Sequence, residues 1–388
     1  MCPYLAITAK FILLNIFFIF YQINSPMPLF VLGANAMCQL GLPESVDSTH
    51  VPISHEYFVN KKIKKICTGK LHSLVLCENN ELYSWGVNDD CALGREGNQG
   101  VPELVDFKYN IVDICAGASY SAILTDKGHV YACGTFKSSS GVFGFDSDNK
   151  FQKIFKKIQN LRKIQKIFSG QNHLILIDKD SNIWTFGANE AGQLGRRHRE
   201  RRSERCLDPS QISSVNKKDN TNLFITASGG GCHSMAVNQN KECYGWGGNY
   251  NGQLGDGTII GSELKRKALI ENVIEVACGS SHTLFLLENK ALYGTGDNTL
   301  SQLGIRGEKM FKTPVHIMSD IDKIRAGCDF TIAQKGNKLY VWGSNLNGEL
   351  GFDEIKYDEI FTPIAMEFNF KKIIDFSCGT DFTLIHTE

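Results

Sequence analysis

The fold is decided by the stretch from Gly69 to Gly94, which reads GKLHSLVLCENNELYSWGVNDDCALG. Residues 73–76 are an apolar run, residues 78–81 are polar, and residues 82–85 form a second apolar run that ends at Gly86. A strand, a polar turn and a second strand make the pattern of a β-hairpin. Three glycines mark the beginning, the middle and the end of this stretch.

The same three markers recur along the chain. The first marker is a glycine after a short apolar strand, at Gly69, Gly117, Gly170, Gly230, Gly279, Gly327 and Gly379. The second ends a strand of the type [ILV]-Y-x-W-G, at Gly33, Gly86, Gly134, Gly187, Gly247, Gly296 and Gly343. The third closes a turn reading roughly N-x-x-G-Q-L-G, at Gly41, Gly94, Gly144, Gly195, Gly255, Gly304 and Gly351. The chain is therefore a sevenfold repeat.

The repeat predicts an all-β fold. A unit of about 50 residues with several strands cannot bury both of its faces alone, so the units must pack against one another. Seven four-stranded units that close on themselves make a seven-bladed β-propeller. The chain begins partway through a repeat and ends with the missing first half, so we expect N- and C-terminal strands to pair in one blade and close the ring. Residues 29–388 are predicted to be one domain.

Composition excludes several classes of protein. Lys+Arg and Asp+Glu are both 41, so bulk charge cannot attract nucleic acid. The 13 cysteines contain no C-x-x-C pair, which favours small buried side chains in a reducing compartment. The apolar run at residues 11–21 is shorter than the ~20 residues that span a bilayer. We expect residues 1–28 to be a dispensable apolar tail or a mis-called start.

One turn departs from the repeat. The second and third markers are 8 residues apart in six repeats but 10 apart between Gly134 and Gly144. An insertion in a regular ring must protrude, and small polar loop tips on rigid scaffolds are common binding sites. The tip reads Lys137-Ser138-Ser139-Ser140-Gly141. A harmless surface elongation is the alternative reading.

Three segments carry a resemblance to a known family. They are residues 86–95, residues 134–144, and residues 192–196 with the Arg-rich run and Leu207-Asp208-Pro209 that follow. Together with the markers, they resemble the regulator of chromosome condensation family across residues 29–386. Members of this family serve as exchange factors, ligase modules, photoreceptors and scaffolds, and the three segments are most similar to the members that act on the Ran GTPase.

The resemblance implies a guanine-nucleotide exchange factor that uses no covalent catalysis, cofactor or metal. The inserted turn would be a wedge beside the nucleotide pocket of the GTPase, formed by Phe136, Lys137, Ser138, Ser139, Ser140 and Gly141. Phe136 would anchor its base. The GTPase would also contact one face of the ring, at His72, Asn172, His173 and His282. Acids typical of the family are replaced here by Ala118-Ser119 and Gln171-Asn172, which removes charge pairing to a basic partner.

The residue three positions after each first marker has a planar side chain, and it could have a structural role instead of a role in binding. These residues are His72, Tyr120, His173, His233, His282, Phe330 and Phe382. Aromatic fillers are common inside propellers, so packing or hydrogen bonding within the repeat is the simpler role. A metal site is disfavoured, because sevenfold geometry spreads equivalent positions around a ring.

The resemblance also implies nuclear, chromatin-associated action as a monomer that supports nucleocytoplasmic transport and mitosis. The Arg-rich run would bind the nucleosome, because Arg suits bidentate contacts with carboxylates. Its residues are Arg196, Arg197, Arg199, Arg201, Arg202 and Arg205. Neighbouring lysines would touch DNA phosphates. A solvated loop is the alternative.

Two other functions stay open. One is a non-catalytic propeller scaffold of the same superfamily, and the other is a binding propeller tethered to a membrane by residues 4–23. Motif searches favour no enzyme, since the chain has no G-x-x-x-x-G-K-[ST], H-E-x-x-H or G-x-S-x-G.

Overall fold

The computed structural model describes residues 29–196, 204–212, 223–352 and 357–388. These ranges contain two short 3-10 turns, Glu56–Phe58 and Glu204–Leu207, and strands throughout. In chain order the strands are β1 (Leu29–Ala34), β2 (Ser48–Ser54), β3 (Ile63–Thr68), β4 (His72–Cys77), β5 (Leu82–Gly86), β6 (Glu103–Leu104), β7 (Ile111–Ala116), β8 (Tyr120–Thr125), β9 (Val130–Gly134), β10 (Phe136–Ser138), β11 (Gly141–Gly144), β12 (Gln152–Lys157), β13 (Ile164–Ser169), β14 (His173–Asp178), β15 (Ile183–Gly187), β16 (Ser210–Gln211), β17 (Phe224–Gly229), β18 (His233–Asn238), β19 (Cys243–Gly247), β20 (Ser262–Lys267), β21 (Val273–Cys278), β22 (His282–Leu287), β23 (Leu292–Asp297), β24 (Met310–Met318), β25 (Lys323–Ala326), β26 (Phe330–Lys335), β27 (Lys338–Ser344), β28 (Glu359–Ala365), β29 (Ile373–Cys378) and β30 (Phe382–Thr387).

Seven four-stranded antiparallel sheets form the seven blades, which confirms the predicted propeller. Blade 1 has the order β2-β1-β30-β29, and blade 2 consists of β3 to β6. Blade 3 takes β12 as its fourth strand, because β10 and β11 pair only with each other. Blades 4 to 7 each take four consecutive strands, from β13–β16 to β25–β28. The first strand of every repeat lines the central channel.

The ring closes in blade 1, as predicted. Strand β1 pairs antiparallel with β30, from Leu29 opposite His386 to Gly33 opposite Phe382. Backbone hydrogen bonds therefore join the two ends of the described propeller and remove a free strand edge. Residues 1–28 lie outside the described residues, and the boundary between them and residues 29–388 stays a prediction.

Strand direction places the repeat markers on one face. The four strands of a blade alternate in direction, so the turn after the first strand and the loop after the third strand lie at the same end. The first-marker glycines sit in the former and the second-marker glycines end the third strand. This end of the ring, which also carries the third-marker turns, is called the marker face below.

Blades are joined by the flat residue three positions after each first marker. In four blades it is a histidine whose Nε2 lies 2.7–3.3 Å from a Ser or Thr hydroxyl of the next blade. The pairs are His72 with Ser121, His173 with Ser234, His233 with Thr283, and His282 with Thr331. Tyr120 instead donates its hydroxyl to the carbonyls of Gly170 and His173, at 2.9 and 2.6 Å. The four histidines, His72, His173, His233 and His282, are called the latch histidines.

Each first-marker glycine makes room for the ring that follows it. A Cβ built on Gly170 would lie 2.1 Å from His173 Cε1, and all three of its nearest atoms belong to that ring. Real Cβ atoms do not approach other atoms so closely, so the glycine and the flat residue are required together.

We expect Gly170→Ala to lower the free energy of unfolding by roughly 1–3 kcal/mol, the usual cost of an extra methyl group in a packed interior. Because the three nearest atoms all belong to His173, Gly170→Ala combined with His173→Ala should cost less than the two single changes added together. Urea unfolding of the two single variants and the double variant measures this coupling. Simple additivity would contradict the contact.

Candidate functional site

The inserted turn of blade 3 is a separate two-stranded hairpin on the marker face. Strands β10 and β11 pair Lys137 with Val142 and Ser138 with Gly141, which leaves Ser139 and Ser140 as a two-residue loop. Residues 139–142 are exposed. The residues that form the hairpin are 136–144, and they are called the blade-3 hairpin.

The hairpin exists because blade 3 lacks an asparagine that the other blades share. Two residues after the second marker, six blades carry Asn35, Asn88, Asn189, Asn249, Asn298 or Asn345. In each blade its Oδ1 accepts a hydrogen bond of 2.9–3.1 Å from the backbone N–H of a leucine five residues later. This bond folds the loop back into a compact turn. Blade 3 has Phe136 at this position, so its loop lacks the hydrogen bond that makes the other six turns compact.

Phe136 lies at the base of the hairpin and is held by packing. Its side chain is fully buried. The ring centroid lies 4.8 Å from that of Tyr120 and 5.7 Å from that of Phe186, the second contact edge-to-face. Aromatic contacts of this kind add about 0.5–1.5 kcal/mol beyond the area that they bury. In blade 3, aromatic packing of Phe136 therefore takes the place of the asparagine hydrogen bond of the other blades.

The remaining hairpin residues contact both neighbouring blades. Lys137 pairs with Asp90 of blade 2, and its backbone N–H donates to Asn172 Oδ1 of blade 4 at 3.2 Å. The backbone N–H and the hydroxyl of Ser139 donate to the two carboxylate oxygens of Glu190, at 2.7 and 2.8 Å. Asn172, which was predicted to contact the GTPase, is thus brought to the hairpin. Asp90 and Glu190 were not expected, because only the folded ring brings them to the hairpin.

The hairpin also touches the segment that follows the Arg-rich run. Leu207, at the end of the turn Glu204–Leu207, is buried in the same apolar cluster as Phe136, Phe145 and the half-buried Phe143. Arg196 lies on the other side of that segment. It is 7% exposed and donates to the carbonyls of Cys206 and Asp208 at 3.0 and 3.1 Å.

Two groups of predicted contact residues require correction. The prediction of direct contact between a GTPase and His72, His173 and His282 is wrong for these side chains, because all three are at most 1% exposed. Their burial lowers the pKa of His72 to about 4 and of His173 and His282 to about 3, so they are neutral latches between blades. Surface contact through Arg196 is wrong as well, because that guanidinium is buried against backbone carbonyls.

The rest of the Arg-rich run is only partly visible. Arg205 is exposed at the surface. Arg197, Arg199, Arg201 and Arg202 lie outside the described residues, and their predicted role stays a prediction.

The axial channel of the ring has the features of a structural element rather than of a binding site. It encloses a cavity of about 370 Å³. Gln171 reaches over its mouth on the marker face and donates to Ser280 Oγ at 2.9 Å. Inside, Arg325 pairs with Glu275 and Asp375 at 2.8 and 3.1 Å, and Lys323 pairs with Asp375 at 3.1 Å, so two cations meet two carboxylates. Across the described part of the chain, no group of three or more His, Cys, Asp or Glu side chains is placed to hold a metal ion.

The acids that follow the first markers lie in blades away from the hairpin. Two residues after the first marker, blades 3 and 4 carry Ser119 and Asn172, whereas blades 7 and 1 carry Asp329 and Asp381. Burial and the neighbouring carboxylates raise the pKa of Asp329, and burial raises that of Asp381. None of the helices in the described ranges is long and apolar enough to cross a membrane.

Comparison with known proteins agrees with this architecture. The human protein named Regulator of chromosome condensation is 31% identical over 245 residues, which cover 60% of this chain and 58% of the human protein. The Saccharomyces cerevisiae protein named Guanine nucleotide exchange factor SRM1 is 27% identical over 300 residues, covering 66% of this chain and 61% of that protein. The matched part thus spans about three-fifths of these relatives.

Solved structures show the same ring. The crystal structure of Prp20p from Saccharomyces cerevisiae, reported with its binding properties to Gsp1p and histones, superposes with a TM-score of 0.84. It is 25% identical in sequence, and the match covers 94% of this chain and 92% of that one. The family model of the RCC1-like domain matches residues 28–385. The chain therefore belongs to the RCC1-like domain family.

Proposed function

We propose that this protein is a guanine-nucleotide exchange factor for a GTPase of the Ran type, and that the blade-3 hairpin is its wedge. The observation that carries the proposal is a rigidly anchored hairpin in one blade of an otherwise regular ring, on the face where six other turns lie flat. Support comes from the yeast relative, which is named a guanine nucleotide exchange factor.

The mechanism needs no bond to form or break in the propeller. Phe136 fixes the base of the hairpin, and residues 138–141 enter the GTPase beside its phosphate-binding loop and Mg²⁺ site. The propeller then binds the nucleotide-free GTPase more tightly than the loaded one. By linkage, nucleotide binding is weakened by the same factor, and an incoming nucleotide expels the propeller. Each 1.4 kcal/mol of this coupling changes nucleotide affinity about tenfold.

Release of labelled GDP from Ran tests this function. We expect the release rate to rise with propeller concentration and to reach a plateau, and to be the same with excess GDP or excess GTP, because the propeller sets no direction. Unaccelerated release at every concentration, with normal folding, would leave a non-catalytic scaffold of the same family. Because family-typical acids are lost near Ser119 and Asn172, GDP release has to be measured with this protein itself.

We also propose that the protein acts in the nucleus on chromatin, with the nucleosome as its second partner. Support comes from the Arg-rich run at residues 197–205 and from exposed basic residues on the face opposite the marker face. In blades 2 to 4 these include Lys62, Lys64, Lys108, Lys127, Arg162, Lys163, Lys166 and Lys179. The lysines lie on the face opposite the hairpin, whereas the Arg-rich run is flanked by Gly195 of the marker-face turn of blade 4 and by Leu207, which packs with the hairpin.

Replacing Arg199, Arg201 and Arg202 together by Ala should weaken nucleosome binding roughly tenfold or more, because Arg forms charge-assisted contacts with carboxylates. The rate of GDP release from Ran should stay unchanged, since none of the three belongs to the hairpin. Nucleosome pull-down across a salt series measures the first effect, and binding should fall steeply with salt if lysines also meet phosphates. Equal pull-down of variant and wild type would remove this run from the chromatin proposal.

A further inference from the structure

The blade-3 hairpin is too small to hold its own shape. Its strands contain three and four residues, and an isolated two-stranded hairpin is at best marginally stable in water. Phe136 fixes only the base, because it lies at the first position of β10. The orientation of the exposed loop must therefore be set by contacts beyond the hairpin.

One carboxylate makes such contacts at the loop itself. Glu190 belongs to the marker-face turn of blade 4, and its Oε2 and Oε1 accept from the N–H and the hydroxyl of Ser139 at 2.7 and 2.8 Å. Two bonds from one residue to one planar group fix both position and direction, and bonds to a charged acceptor are stronger than neutral ones. Glu190 is half-buried, on a turn that Asn189 staples to Leu194 N–H at 3.0 Å.

The opposite flank is held in a similar way. Asp90 of blade 2 pairs with Lys137 and also accepts from the hydroxyl of Ser119 at 2.8 Å. The hairpin is thus held between a carboxylate of blade 2 and a carboxylate of blade 4. Of the two, only Glu190 contacts the two-residue loop.

We infer that Glu190 is a positioning residue, which holds the wedge loop in its inserted orientation before the GTPase binds. This inference rests on the proposed function. A loop that is already ordered loses little conformational entropy on insertion, so more of the binding free energy is left to weaken the nucleotide. A loop that is free to swing would still allow docking, but it would couple docking to nucleotide release less effectively.

The repeat provides a matched control. Asp89 occupies the position in blade 2 that Glu190 occupies in blade 4, three residues after the second marker. It is exposed, and no hydrogen bond or ion pair to it occurs among the described residues. Asp89→Asn therefore removes a carboxylate from the same place in the repeat without touching the hairpin.

GDP release from Ran should separate positioning from direct contact. We expect Glu190→Ala to lower the plateau rate roughly tenfold or more, while the propeller concentration at half-maximal rate changes less than about threefold. Glu190→Gln should recover part of the rate, because its amide oxygen still accepts one of the two hydrogen bonds. Asp89→Asn should match wild type. An unchanged plateau rate in Glu190→Ala would overturn the inference. If the half-maximal concentration of propeller rose at the same time, Glu190 would instead contact the GTPase directly.

Hydrogen–deuterium exchange of the free full-length protein tests the clamp independently of any GTPase. Glu190→Ala should speed exchange of the Ser139 amide, because this N–H donates to the Glu190 carboxylate, and should leave the amides of β8 and β9 unchanged. Equal protection of Ser139 in variant and wild type would overturn the inference. If the wild-type protein fails to accelerate GDP release, the proposed function is wrong. The hydrogen–deuterium exchange result still decides whether Glu190 orders the loop.

Discussion

Deleting Ser139 and Ser140 should reduce GDP release from Ran to the spontaneous rate. The deletion leaves Lys137 paired with Val142 and makes Ser138-Gly141 the new two-residue loop, and glycine suits the positive φ that such a loop needs. Gly141 already has φ of 107°. The hairpin then ends one residue pair lower, about 3.3 Å short of its original reach, and the bonds to Glu190 are lost. A wedge that no longer reaches the phosphate-binding loop cannot favour the nucleotide-free form.

The ring itself should be unaffected by this deletion, because Phe136 and its aromatic contacts are retained and the removed residues are exposed. Thermal unfolding of the deleted and the intact protein provides the control, and we expect midpoints within about 2 °C of each other. Stopped-flow release of a fluorescent GDP analogue measures the loss of activity. Full acceleration by a shortened but folded protein would remove the hairpin from the mechanism and leave the marker face without an assigned wedge.

The location of this hairpin could be predicted from the sequence because the repeat makes exceptions visible. Seven sets of markers fix the blades, their order and the closure of the ring, and one spacing of 10 residues among spacings of 8 identifies the turn that protrudes. A second signal was also present and was missed. Blade 3 has Phe136 where six blades have asparagine, and that exchange explains physically why the loop stands up.

Side-chain direction and partners across blades could not be predicted in the same way. The repeat position of His72, His173 and His282 is fixed by sequence, but their burial depends on the neighbouring blade that closes over each ring. The partnership of Ser139 with Glu190 spans 51 residues, and neither residue stands out in its own segment. Arg196 looks like part of an exposed basic run, yet the carbonyls of Cys206 and Asp208 draw it inward.

The second large effect concerns acid stability. Burial lowers the pKa of His72 to about 4 and of His173, His233 and His282 to about 3. In the unfolded chain each would titrate near 6.5, so between pH 6.5 and the folded pKa the unfolded state binds more protons. The stabilisation is fully present above pH 6.5 and is lost as the pH falls toward 4.

The size of the loss follows from the same shifts. At pH 5, which is about 1.5 pH units below the unfolded pKa, each latch histidine should cost about 2 kcal/mol, since one unit corresponds to about 1.4 kcal/mol. Four such residues together reach the order of the whole free energy of unfolding of a typical domain, about 5–15 kcal/mol. Glu349 opposes them, because burial raises its pKa to about 7 and its protonated form stabilises the fold at lower pH. The raised pKa values of Glu275, Asp329 and Asp381 act in the same direction as Glu349, whereas burial lowers the pKa of His55 to about 4 and adds to the loss.

We therefore expect the midpoint of thermal unfolding to fall by more than about 10 °C between pH 7 and pH 5. The repeat suggests the variants that test the cause, because Phe330 and Phe382 already fill the latch position in blades 7 and 1. His282→Phe leaves Thr331 Oγ1 its bond of 2.8 Å to the carbonyl of Gln302, so it removes a titrating ring without leaving that hydroxyl unpaired. Combined with His233→Phe, it should narrow the difference between the midpoints at pH 7 and pH 5, because two of the four titrating latches are gone. Parallel pH profiles for this double variant and wild type would show that the acid sensitivity arises elsewhere in the ring.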